Sequence, residues 1–117
     1  MNSSTFSSSR RLAAILLAAV ALPAAVFAAD AKDNWTQYCG RCHAADGSGS
    51  TKIGKKLNAK DYTNAEVQAK LTDEEMLKAI VDGAKDANGK ELMQGYKEKI
   101  SEQEAKDLVA YIRSLKK

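Results

Sequence analysis

Cys39-Gly40-Arg41-Cys42-His43 decides the reading of this chain. Two cysteines three positions apart fall on one side of a helical turn, and a histidine follows the second directly. A disulfide between Cys39 and Cys42 would close a very small loop and gain little. A thioredoxin-type pair normally opens a helix after a strand, and no β-branched run precedes Cys39. A zinc site would need a fourth ligand, and the chain has one His and two Cys in all. Covalent attachment of haem c is the use of Cys-x-x-Cys-His that remains, with both thiols adding to vinyl groups and the imidazole directed at the iron.

Upstream of the motif the composition changes abruptly. Met1 to Ser9 is polar and Ser-rich, Arg10 and Arg11 follow, and Leu12 to Ala29 runs apolar without a charge until Asp30. A basic start, an apolar run and the small residues around Val26-Phe27-Ala28 predict a cleaved secretory signal over 1–29. The competing reading is a retained membrane anchor; Pro23 and the alanine content favour cleavage. Ser9-Arg10-Arg11 hints at a twin-arginine signal, but haem added to an unfolded thiol pair after export argues against that route. The remaining domain, 30–117, has 88 residues and a formal charge of +1, against +3 for the whole chain. So small a charge gives no argument for nucleic-acid binding. The domain has no Phe and no Pro, and its aromatics are Trp35, Tyr38, Tyr62, Tyr96 and Tyr111. A domain of this size is marginal on its own apolar area. A haem supplies the missing core.

One histidine excludes ligation by two imidazoles. Met76, Met93, a lysine or an open position remain for the far side of the iron. Met76 follows the capping box Thr72/Glu75 and shares a helical period with Leu77, Ile80 and Val81, so it reads as core. Met93 stands between the turn signals Asn88-Gly89 and Gly95, where a thioether is free to reach a metal, and is the favoured ligand.

The rest of the chain reads as helices and loops. Asp33 to Cys42 is a first helix, Ala44 to Asn58 a Gly-, Ser- and Lys-rich loop, Asp61 to Ala69 a short helix, and Thr72 to Val81 a helix ended near Gly83. The last helix is the clearest. Ser101 and Glu104 form a second capping box, Ile100 and Ala105 a hydrophobic staple, and Ala105, Leu108, Ile112 and Leu115 an apolar stripe. No strand signal and no internal repeat is present.

In these features residues 30–117 resemble the class I c-type cytochromes, specifically the small monohaem bacterial ones. The resemblance implies an all-α fold of about four helices wrapped around one covalently bound haem, with the first and last helices crossing. It implies cofactor attachment through Cys39 and Cys42, and iron ligation by His43 and by a Met some distance on; Met93 is 50 residues further. It places Trp35 against Leu108 and Tyr111 at the helix crossing. Two departures stand out. Gly54-Lys55-Lys56-Leu57 takes the place of the family's Gly-Pro-x-Leu, leaving the Lys55 carbonyl to accept from the ligand imidazole. Met93-Gln94-Gly95-Tyr96 takes the place of Met-Pro-x-Phe, which loosens the Met loop.

The expected function is one-electron transfer, not catalysis, by a soluble, periplasmic, monomeric carrier. It exchanges electrons with transient redox-protein partners and has no membrane span after signal removal. The competing readings are a subunit dedicated to one dehydrogenase or oxidase, or a five-coordinate peroxidase or gas-binding protein if Met93 is unbound. Lys52, Lys55, Lys56 and Lys60 are a candidate basic rim for partners, against the plainer reading of an evenly mixed charged surface.

Overall fold

The computed structural model describes the backbone of residues 15–20 and 25–117, with side chains for 15–20 and from Asp30 onward. The expected signal segment, 1–29, lies largely outside the described residues. No helix among those described is long and apolar enough to cross a membrane.

The first helical stretch is longer than the sequence suggests. Helix α1 (Ala25–Asn34) runs into a single wide π-turn at Trp35–Cys39 and then α2 (Gly40–His43). In the π-turn the Gly40 N–H reaches back five residues to the Trp35 carbonyl. Helix α3 (Lys52–Leu57) occupies what reads in sequence as loop. Thr51 caps its start by accepting from the Gly54 N–H, and Asn58, left-handed at φ 53°, ends it. Helix α4 (Ala65–Ala69) is shorter than expected because Asp61 and Asn64 each turn the chain before it: Asp61 accepts from Thr63, and Asn64 caps the helix through the Glu66 and Val67 amides. Helices α5 (Asp73–Asp82) and α6 (Glu102–Ser114) begin at the two capping boxes, Thr72/Glu75 and Ser101/Glu104, both formed in full.

A hairpin corrects the all-helical expectation. Strands β1 (Gly83–Lys85) and β2 (Glu91–Gln94) pair antiparallel, with Ala84 opposite Met93. The segments are too short to show an alternating pattern. Their turn is built by Asp86, whose carboxylate accepts from the Asn88 and Lys90 amides, and by Gly89 at φ 79°.

The core lies where α1 and the π-turn cross α6, with α5 alongside. Trp35 and Leu108 are the largest fully buried side chains, joined by Met76, Ile80, Tyr96, Ile100, Ala105, Val109 and Ile112. The Trp35 and Tyr111 rings meet at 5.7 Å, as the expected helix crossing requires. Behind the crossing, buried Gln68 donates through Nε2 to the carbonyls of Tyr62 and Ile112, and Arg113 donates to the Gln68 and Leu71 carbonyls and to Asp73. This network joins α4, α5 and α6 with no buried side-chain polar atom left unpaired among the described residues.

Candidate functional site

Cys39 closes the π-turn, and Cys42 and His43 end α2. The chain leaves the helix sharply at Ala44, at φ 66° and ψ 162°. That conformation is costly for a residue with a Cβ. The loop that follows folds back on the motif and satisfies its terminal carbonyls. Thr51 Oγ1 donates to the Cys42 carbonyl at 2.9 Å, and the Gly49 amide donates to the His43 carbonyl at 2.7 Å. Gly54 presses against Cys42 so closely that a Cβ there would run into the Cys42 carbonyl. The indole Nε1 of Trp35 donates to the Ala44 carbonyl at 3.1 Å. The motif is therefore clamped from both sides before any cofactor is considered.

His43 is oriented by three neighbours. Its Nδ1 faces the Lys60 carbonyl at 3.4 Å, Tyr62 stacks on its ring at 5.0 Å, and Trp35 lies at 5.8 Å. With the Nδ1 proton directed to Lys60, the lone pair belongs to Nε2. Burial lowers the imidazole pKa, and the Lys60 carbonyl opposes this only in part. The ring is thus neutral at pH 7, as a metal ligand must be. The accepting carbonyl is Lys60, not Lys55. Lys55 lies inside α3, and its carbonyl accepts from the Asn58 N–H at the helix end. Gly54-Lys55-Lys56-Leu57 folds as helix, so the chain reaches the imidazole only after α3 ends.

No disulfide joins Cys39 and Cys42. Burial, and then the neighbouring Cys42, push the Cys39 thiol up to about 12. A reactive or redox thiol needs the opposite shift. Two cysteines on successive turns beside an imidazole whose Nδ1 is taken by the Lys60 carbonyl form a donor set that fits covalently held haem.

The two methionines are placed differently. Met76 is buried on α5 among core side chains, as its helical period implies. Met93 is half-buried on β2, packed against the same cluster from the hairpin.

A family model described as cytochrome c matches residues 28–116. The chain belongs to the cytochrome c family. Haem c with its iron is its cofactor, and Cys39 and Cys42 stand at the family's attachment spacing. Among solved structures, a c-type cytochrome named KustC0563 is 36% identical, superposes with a TM-score of 0.67, and is covered over 99% of its length by 75% of this chain. A mutant of that cytochrome is also 36% identical, with a TM-score of 0.64 and coverage of 74% of this chain and 99% of its own. No curated protein matches.

Sequence reasoning missed the Lys60 carbonyl, the Tyr62 stack, the Thr51 and Gly49 contacts and a hydroxyl bond from Tyr96 to the motif helix. Thr51 preceding Lys-Ile-Gly-Lys-Lys-Leu is a helix-start signal that was available in the sequence. The carbonyl and stacking partners depend on tertiary folding and carry no local signal.

Proposed function

We propose that this cytochrome is a periplasmic one-electron carrier, exported by a signal over 1–29 and active as a monomeric domain over 30–117. Cys39 and Cys42 would anchor the haem, and His43 and Met93 would ligate its iron. Bound haem supplies the one-electron couple. The residues around it hold the couple in place. Lys60 fixes the imidazole through Nδ1, Tyr62 and Trp35 limit its rotation, and the Thr51–Cys42 and Trp35–Ala44 bonds keep the anchor helix from moving between redox states. Thioether ligation favours the ferrous state and raises the potential. With His43 and Met93 both holding the iron, no position would remain on it for a substrate, and no acid–base residue would be required. Donor and acceptor are redox proteins that dock briefly over a small interface.

The observation that carries the reading is the single imidazole whose Nδ1 is held on the Lys60 carbonyl, which leaves Nε2 for the iron, together with Met93 half-buried on a hairpin. The test is to mix the haem-loaded protein with carbon monoxide in the ferrous state and with peroxide in the ferric state. A filled iron gives slow, weak ligand binding and a reversible one-electron titration. Rapid carbon monoxide binding with peroxide turnover would make it a five-coordinate enzyme or gas binder instead.

A further inference from the structure

The hairpin that presents Met93 lacks the proline that would stiffen it; the only Pro of the chain is Pro23. We propose that the Tyr96 hydroxyl takes over that task and is a positioning group for Met93. The proposal rests on Met93 as the iron ligand.

Tyr96 follows Met93 by three residues and is buried, 8% exposed. The segment between them is pressed against the end of α5. A Cβ on Gly95 would run into the backbone of Val81 and Asp82, and one on Gly83 into that of Met93. The Tyr96 N–H donates to the Ile80 carbonyl at 2.9 Å, and the Lys97 N–H to the Val81 carbonyl at 3.3 Å. These bonds hold the segment to α5 alone. The Tyr96 hydroxyl reaches elsewhere: it donates to the Tyr38 carbonyl at 2.8 Å, across 58 residues of sequence. Tyr38 directly precedes Cys39, the first anchor. The two tyrosine rings pack at 5.3 Å, and the Lys99 ammonium stands about 6 Å over both. The hydroxyl thus ties the segment carrying the sulfur ligand to the helix carrying the cofactor's anchor. It sets the distance that decides whether the thioether stays on the iron. Apolar packing of the ring alone would not fix that register, because Phe fills the same space without the bond.

The test is competition by imidazole for the ferric iron in the haem-loaded protein, read by loss of the weak red band of the thioether–iron bond. Tyr96→Phe is expected to bind imidazole about three- to tenfold more tightly than wild type, the range one hydrogen bond spans. With Met93→Leu already present, adding Tyr96→Phe is expected to change nothing. Equal imidazole affinity in Tyr96→Phe and wild type overturns the proposal. So does an equal gain from Tyr96→Phe in the Met93→Leu background, which would mark general loosening. A wild-type protein without the red band overturns Met93 ligation itself, a different failure from a band that Tyr96→Phe leaves untouched.

Discussion

The Trp35 indole donates to the carbonyl of Ala44, nine residues later, and so closes a ring of chain around Cys39, Cys42 and His43. One side chain both fills the centre of the helix crossing and fixes the exit of the motif. Removing the indole N–H leaves the Ala44 carbonyl with only its 3.2 Å bond from the Gly47 amide, and Phe fills less of the crossing. Trp35→Phe is therefore expected to cost about 1–3 kcal/mol. Trp35→Ala adds a cavity and costs about 3–5 kcal/mol. Urea unfolding of the haem-loaded protein measures both.

Ala44 itself sits where glycine belongs. Its φ of 66° with ψ of 162° is a region that side-chain-bearing residues rarely occupy. Ala44→Gly relieves that strain but frees the unfolded chain, by roughly 0.4–1 kcal/mol. The net expectation is a gain of about 1 kcal/mol, seen as a higher melting temperature with an unchanged visible spectrum. A loss of stability would contradict the geometry at this turn.

Gln68 is buried at 3% exposure and uses its amide to bridge the Tyr62 and Ile112 carbonyls. Gln68→Leu keeps most of the volume, removes the side-chain donor of the Tyr62 carbonyl and leaves the Ile112 carbonyl with only the Leu115 amide, so a cost of about 1–3 kcal/mol is expected in thermal unfolding. Tyr62 stacks on His43, so the same change should also broaden the signals of the imidazole ligand in magnetic resonance.

The second capping box carries a pH dependence. The Ser101 amide, then Asn34 and the Ser101 hydroxyl, hold the Glu104 carboxyl below its ordinary value of 4.5. A lowered carboxylate stabilises the fold above the unfolded value, and that contribution is lost as pH falls through the folded one. The stability difference between wild type and Glu104→Gln is expected to be constant above about pH 5 and to shrink below pH 4.5. Chemical unfolding at a series of pH values checks this. A difference that grows on acidification would contradict it.

These residues also mark what was legible in the sequence. The capping boxes at Thr72 and Ser101 and the stripe Ala105, Leu108, Ile112 are local, and α5 and α6 begin where they place them. The meeting of Trp35 with Tyr111 was legible only through the family resemblance, which pairs an aromatic before the motif with the last helix. Helix α3 was hidden by Gly54 and three lysines, which lower helix propensity or read as solvated loop. The hairpin was hidden by its length, three residues against four. The π-turn at Trp35–Cys39 leaves no pattern in the residues themselves. The shift of the imidazole's acceptor from Lys55 to Lys60 follows from α3, which takes Lys55 into a helix and brings the chain to the imidazole only at Lys60.

The most direct test of the central claim is the red absorption band of the ferric protein, recorded for wild type, Met76→Leu and Met93→Leu. Leucine keeps the volume of each side chain and removes only the sulfur, so both variants should fold. The band is expected in wild type and in Met76→Leu and should vanish in Met93→Leu. Its absence from wild type, or its survival in Met93→Leu with loss in Met76→Leu, would contradict ligation by His43 and Met93.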